Sequence, residues 1–251
     1  MTEFVFEGMT SISALIKAAE TRTDARKIKK VLYDEKKRES EYRRIAFLEI
    51  KSKELGFELV PADAEMIESL SNGKTHGGFI AICSDKEYLP LSDADIKENG
   101  IYFVLDGIED PFNFGYTLRS LYASGVDGVI VPERNWFSSA GVVAKSSAGC
   151  SELIDVYKGD ETAAVNLLKS RGYRVFAANI RESYLLYDAN IASPAVFIIG
   201  GEKRGISGKL LETADQNIRI GYGREFSGSL PTATAAAIIA FEAAKQSGKI
   251  K

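Results

Sequence analysis

Cysteine and histidine are scarce in this chain of 251 residues, and each scarcity excludes some chemistry. The two cysteines, Cys83 and Cys150, lie far apart with no CxxC partner, which excludes a zinc-ribbon pattern and a disulfide framework. Both sit among apolar or small residues and read as buried, inert thiols. The single histidine, His76, cannot found a His-based metal cluster. In Asn72-Gly73-Lys74-Thr75-His76-Gly77-Gly78 it reads as a hydrogen-bonding turn residue. No metal site is expected. No apolar run approaches the roughly 20 residues that cross a bilayer. The start, Met1-Thr2-Glu3-Phe4, has no basic segment leading into an apolar core. The expectation is a soluble cytoplasmic protein with no membrane partner. An excess of one charge is also missing: the net charge of -3 excludes a uniformly basic nucleic-acid coat and leaves room for a local basic face. There is no internal repeat and no low-complexity tract.

What is present is enough apolar residue, 45% of the chain, to build a sizeable core in one large or two modest domains. The chain changes character between Leu89 and Gly100, where Pro90, Asp93, Asp95 and Asn99-Gly100 make a linker. This divides it into residues 1–92 and 98–251. The first part holds a helix capped at Thr10-Ser11 and running through Ala19. A strand at Val31–Tyr33 and a long charged helix from Glu35 to Leu55 follow, then strands at Phe57–Val60 and Phe79–Cys83, a small α/β layer. The second part alternates more regularly. Strands are expected at Ile101–Leu105, Gly128–Val131, Tyr173–Ala177, Ala195–Gly200 and Gln216–Ile220. Helices are expected near Phe114–Ser124, Ala140–Ser147, Glu161–Ser170, Gly208–Thr213 and Thr232–Gln246. Short apolar strands alternating with amphipathic helices predict a mostly parallel sheet covered on both faces.

Three segments at strand exits carry more polar or glycine residues than packing requires. In the first, Ile101–Leu105 turns through Asp-Gly and Asp-Pro into a helix, with Asn113 at its entry and Arg119 six positions on. In an open α/β sheet ligands bind at such exits; a capped helix with a solvated arginine is the plain alternative. In the second, Ile198-Ile199-Gly200-Gly201-Glu202-Lys203-Arg204-Gly205, glycine admits close backbone approach to a ligand. The segment matches neither the Walker loop nor GxGxxG, and an ordinary strand-to-helix turn is its bland reading. In the third, Ile218-Arg219-Ile220 leads through a loop rich in glycine and serine to Ser229-Leu230-Pro231 and an Ala-rich helix. Pro231 suits the first helical position. The small residues of that helix serve close backbone packing or a dimer contact. Elsewhere, residues 22–53 hold twelve Lys or Arg against six acids. A solvated helix face and a phosphate-tracking surface both account for that excess.

The three segments together, in this order, resemble the SpoU/TrmH branch of the SPOUT methyltransferases, which methylate ribose 2′-hydroxyls in RNA. Asp110-Pro111-Phe112-Asn113-Phe114-Gly115 with Arg119 is close to that family's first motif. Gly200–Gly205 resembles the second and Ile218–Glu242 the third. The first part of the chain resembles the ribosomal-protein-like RNA-binding domain of several members. The resemblance implies a knotted parallel-sheet methyltransferase domain at residues 98–251, behind a small α/β substrate-binding domain at 1–92. It implies S-adenosylmethionine as cofactor, bound by Gly200, Gly201, Ile218, Ile220 and Leu230. Arg119 would act on the 2′-hydroxyl, with Asn113, Glu202 and Ser229 positioning it. The RNA, ribosomal rather than transfer RNA, would meet Arg26, Lys29, Lys30, Lys37, Arg38, Arg43 and Arg44. A homodimer is implied, with Arg119 acting within its own subunit or across the interface. The chain departs from the family where Pro231 replaces an Asn, where Arg219 replaces a Pro, and where the loop between Ile220 and Ser229 is about three residues longer. The Pro231 departure keeps open a second reading, an RNA-binding member with impaired catalysis. An unrelated nucleotide-binding enzyme would carry a Gly-rich phosphate loop after Ile101–Leu105, and none is there.

Overall fold

The computed structural model describes residues 3–71, 73, 75–132 and 139–250. The chain forms two compact units: Met1–Glu87 with Phe137–Leu153, and Tyr88–Trp136 with Ile154–Lys251. The first boundary falls just ahead of the Leu89–Gly100 stretch. The second unit, however, does not take all of residues 98–251: Phe137–Leu153 packs with the first. The reason is electrostatic as well as apolar. Within that segment the Lys145 Nζ lies 2.6 Å from the Glu7 carboxylate, and the Glu152 carboxylate lies 3.2 Å from Arg26 Nε with both side chains buried.

The first unit is a four-stranded sheet in the order β1-β4-β2-β3. Its strands are β1 (Phe4–Glu7), β2 (Ile28–Asp34), β3 (Glu58–Ala62) and β4 (Phe79–Cys83), and its helices are α1 (Gly8–Thr21), α2 (Tyr42–Leu55), α3 (Ala64–Leu70) and α5 (Ala140–Ser146). The expected helix from Glu35 is broken. Glu35–Lys37 forms a single 3-10 turn capped by Asp34, and α2 starts only at Tyr42. Helix α1 begins at Gly8 rather than at a Thr10-Ser11 cap. Burial pushes the Cys83 thiol up to about 12, so it stays protonated and inert. His76 Nδ1 accepts the Gly78 N–H at 3.1 Å, the turn role expected of it.

The second unit is a seven-stranded, all-parallel sheet in the order β7-β6-β5-β10-β8-β11-β9. The strands are β5 (Ile101–Asp106), β6 (Gly128–Val131), β7 (Val156–Lys158), β8 (Arg174–Ala178), β9 (Ser183–Leu185), β10 (Ala195–Gly200) and β11 (Gln216–Arg219). Among the described residues the helices that accompany them are α4 (Pro111–Ala123), α6 (Glu161–Ser170), α7 (Gly208–Leu211) and α8 (Thr232–Gln246). Alternate residues of the central strands are buried on opposite faces, as a sheet covered on both sides requires. Tyr102, Val104, Val196 and Ile198 pack with Val165 and Leu168 of α6. On the other face Phe197 stacks between Phe103 and Phe176, at 5.1 and 5.4 Å. The three-residue strands β7 and β9 are too short for periodicity to reveal.

Strand β11 lies between β8 and β9, although only residues 179–182 separate those two in the chain. Ala178 and Tyr184 both pair with Ile218, so this link must cross β11 from one side to the other. A strand passing beneath a connection is the threading that ordinary folds avoid, and it accords with the knotted parallel sheet expected for this domain.

One carboxylate clamps the start of the sheet. Asp127 accepts the Ile101 N–H at 2.8 Å, pairs with Lys97 at 2.8 Å and with Lys249. Burial raises its pKa, but these three donors outweigh burial and hold it below the usual value. A depressed pKa means the unfolded chain takes up the proton first. The stabilisation is therefore present above about pH 4 and is lost as pH falls through the lower, folded value. Wild type is expected to exceed Asp127→Asn in denaturant midpoint at neutral pH, and the gap to close below about pH 4. A gap independent of pH would refute the assignment.

Candidate functional site

The site builds up from the carboxyl ends of β5 and β10. These are adjacent strands paired through Asp106 and Gly200, and the chain goes on from β5 to β6 on one side of the pair and from β10 to β11 on the other. After β5 the chain turns at Gly107, and Asp110 caps α4 by accepting the Asn113 N–H at 2.8 Å, with Pro111 at the first helical position. Asn113 is thus inside the first turn of α4, not in a loop before it. The Asp-Pro pair was the sequence signal for that earlier start. Asn113 Nδ2 donates to Glu202 Oε1 at 3.0 Å across 89 residues of sequence. Glu109 pairs with Lys203 at 2.8 Å beside it. A pocket of about 90 Å³ is lined by Gly107, Ile108, Glu109, Asp110, Asn113, Glu202, Lys203 and Thr232.

The glycines of the second segment answer to their own backbone first. A Cβ on Gly201 would lie 2.1 Å from the Gly107 oxygen, and one on Gly200 would lie 2.4 Å from the Gly205 carbonyl carbon. Two residues outside the sequence reading hold this loop. The Asp106 carboxylate accepts the Ser207 N–H at 2.7 Å, and buried Thr232 donates its hydroxyl to the Gly200 carbonyl at 3.2 Å. Asp106 carried a visible signal as an acid at a strand exit, and Thr232 carried none. Gly201→Ala forces backbone against backbone, which side-chain motion cannot relieve. It is expected to destabilise the protein by about 1–3 kcal/mol and to lower the melting temperature. An unchanged melting temperature would show that the loop yields.

Of the four candidate catalytic residues, the structure joins Asn113 and Glu202. Arg119 is exposed on α4, about 120° around the helix from Asn113. It lies instead on one stripe with exposed Phe112 and Tyr116. Ser229 is exposed in the loop before α8, and neither it nor Arg119 lines the pocket that Asn113 and Glu202 share. Of the proposed cofactor residues, Ile218 is 1% exposed in β11, with its carbonyl taken by the Asn179 N–H at 3.1 Å. Its side chain is part of the core and lines neither this pocket nor the cleft formed by Ile220 and Leu230. Ile220 and Leu230 line a second opening, a cleft of about 580 Å³, with Tyr187, Tyr222, Arg224, Phe226 and Ile238. Residues 221–230 of its loop make no backbone–backbone hydrogen bond among the described residues. Pro231 sits at the cap before α8 rather than within its first turn.

The basic residues of the first unit sort differently than expected. Arg26 is 2% exposed, bound to Glu152 and the Ser84 carbonyl and lying over the Phe4 and Phe6 rings. It is a core residue and cannot meet RNA; a charge with a buried partner is held inside. Lys29 pairs with Glu3 at 2.8 Å, Arg44 with Glu41 at 3.0 Å, and Lys37 donates to the Gly77 carbonyl at 3.2 Å. Arg38 and Arg43 are exposed and Lys30 is half-buried. Among the described residues no cluster suited to a metal ion occurs, and no helix is long and apolar enough to cross a membrane.

A 23S rRNA (guanosine-2′-O-)-methyltransferase RlmB of Photobacterium profundum is 27% identical over 199 residues, 77% of this chain and 81% of that protein. An RlmB of Ralstonia nicotianae is 28% identical over 235 residues, 91% of this chain and 92% of that one. The crystal structure of the SpoU methyltransferase AviRb from Streptomyces viridochromogenes in complex with AdoMet shares the fold, with a TM-score of 0.80 at 19% identity over 99% of this chain and 92% of that one. An AdoMet-bound rRNA methyltransferase from Sinorhizobium meliloti has a TM-score of 0.78 at 24% identity, over 97% and 87%. The model of the SpoU rRNA Methylase family matches residues 100–241, more than half of the chain. With that match, and with its motifs gathered at one end of a threaded parallel sheet, the chain belongs to the SpoU rRNA methylase family.

Proposed function

We propose that this chain transfers a methyl group from S-adenosylmethionine to a ribose 2′-hydroxyl of RNA, ribosomal RNA before transfer RNA. The observation that carries the reading is the Asn113–Glu202 bond, which ties the first and second motifs together at the sheet's ligand-binding end. The family supports it, and so do the relatives named as 23S rRNA guanosine-2′-O-methyltransferases.

The residues present fit the cofactor. Half-buried Ile220, Leu230 and Ile238 give an apolar floor for a purine, and the loop backbone beside them offers free hydrogen-bonding groups. The cleft volume lies within the roughly 300–1,000 Å³ of small-molecule sites. Gly200 and Gly201, whose carbonyls and the Gly201 amide are engaged within the protein, would serve by holding the turn beside the cofactor. When bound, S-adenosylmethionine supplies a methyl that is already electrophilic, so the protein has mainly to align it with the ribose oxygen. A guanidinium serves as a fixed positive charge rather than as a free base, so Arg119 would stabilise the ribose oxygen as its proton passes to solvent. Asn113, Glu202 and Ser229 position the nucleotide. Arg119 faces away from its own Asn113, on a stripe with exposed Phe112 and Tyr116 of α4. We infer a homodimer in which that stripe meets a second copy and Arg119 completes the partner's site. Lys29, Lys30, Lys37, Arg38, Arg43 and Arg44 supply phosphate contacts that hold the RNA.

The test is to incubate the protein with labelled S-adenosylmethionine and unmodified ribosomal RNA, map any 2′-O-methyl group, and measure cofactor affinity by calorimetry. A protein that binds neither cofactor nor RNA would overturn the reading. RNA binding without transfer would favour the impaired member that Pro231 raises.

A further inference from the structure

We propose that Tyr222, Arg224 and Phe226, with Tyr187 of the same cleft, form a stacking clamp for an unpaired base of the RNA substrate at the mouth of the cofactor cleft. The proposal rests on the methyltransferase reading of the same cleft. The cleft has two levels. Ile220, Leu230 and Ile238 are half-buried at its floor, whereas Tyr187, Tyr222 and Phe226 are 60%, 43% and 56% exposed at its rim. A rim of three large, half-exposed aromatics leaves apolar ring surface uncovered and invites a planar, apolar partner.

The clamp is already shaped. The Tyr222 and Phe226 rings meet edge to face, with centroids 5.5 Å apart and planes at 67°. Phe226 folds back over Gly228 so closely that a Cβ there would lie 2.7 Å from the ring. Glycine at 228 is what lets the ring lie down. Arg224 lines the same cleft, while its acidic neighbour Glu225 does not. The occupant that this chemistry fits is a nucleobase with its phosphate: aromatic faces for stacking and a guanidinium for the anion or a base edge. Tyr222, Arg224 and Phe226 stand in the loop between Ile220 and Ser229, and Tyr187 in the turn Leu186–Asp188. The clamp would choose the nucleotide context, separate from the floor that takes the cofactor.

The experiment measures binding of a short labelled single-stranded RNA, and of a duplex RNA of the same length, to wild type, Tyr222→Ala, Phe226→Ala, Phe226→Tyr and Arg224→Gln. Cofactor affinity and methyl transfer are measured in parallel. The expected result is a loss of about ten-fold in single-strand affinity for either alanine variant, with duplex and cofactor affinity unchanged and Phe226→Tyr restored. Arg224→Gln should lower the salt dependence by about one ion. Gly228→Ala, which lifts the ring without removing it, should weaken the single strand in the same way. Unchanged single-strand affinity, or a loss confined to the cofactor, would overturn the clamp. Wild type that clamps RNA but neither binds cofactor nor transfers methyl would uphold the clamp and overturn the methyltransferase reading.

Discussion

Arg119→Ala is expected to lower methyl transfer by about 10²–10³-fold while leaving cofactor affinity and the melting temperature unchanged. The guanidinium is exposed on α4 and has no hydrogen bond or ion pair among the described residues, so the fold does not depend on it. Its loss falls on the step in which the ribose oxygen gains negative charge. Lysine at 119 is expected to restore little, because a point charge on a flexible stem does not reproduce a planar fork. Sharing of sites between subunits has its own signature. Arg119→Ala mixed with a cofactor-binding variant such as Leu230→Arg should regain activity that neither has alone, because each mixed dimer holds one site with intact parts. Transfer that survives Arg119→Ala would remove the residue from the mechanism. Mixing that regains nothing would place Arg119 in its own subunit's site.

Glu152→Ala is expected to be the most destabilising single change in the first unit, by about 3–5 kcal/mol, read as a fall in denaturant midpoint. It leaves the Arg26 guanidinium buried between the Phe4 and Phe6 rings without the carboxylate 3.2 Å away. Nearby Lys86 adds to the cost. Burial pushes its ammonium down, and Glu152 is the first of the charges that counter this. Replacing both partners, as Arg26→Met with Glu152→Leu, should cost less than Glu152→Ala alone, since the guanidinium is then no longer stranded and only Lys86, which keeps Asp24 at 3.5 Å, loses a countercharge. A double variant as unstable as the single one would show that packing, not charge, dominates there.

Much of the second unit was legible in the sequence. Gly128–Val131, Ala195–Gly200, Glu161–Ser170 and Thr232–Gln246 fall where periodicity puts them, because strands buried on both faces read as unbroken apolar runs. The break between Glu35 and Tyr42 was not legible: a charged segment supports a helical pattern whether or not the backbone continues through it. Nor was the allocation of Phe137–Leu153 to the first unit, which depends on pairs such as Lys145 with Glu7, 138 residues apart.

At the site, the residue types at the strand exits can be read along the chain: Asn113 after Asp-Pro, the Gly200-Gly201-Glu202 turn, and the loop into the Ala-rich helix. These are local signals, set by backbone conformation and capping. Which of them meet depends on the folded chain. It joined Asn113 to Glu202 and turned Arg119 onto the outer stripe of α4. It placed Ile218 in the core rather than in the cleft, and withdrew Arg26 from any RNA surface. The physical reason is the same in each case. Local sequence fixes the element a residue stands on, but strand order and helix rotation fix the direction it faces, and those are set by contacts across the whole chain.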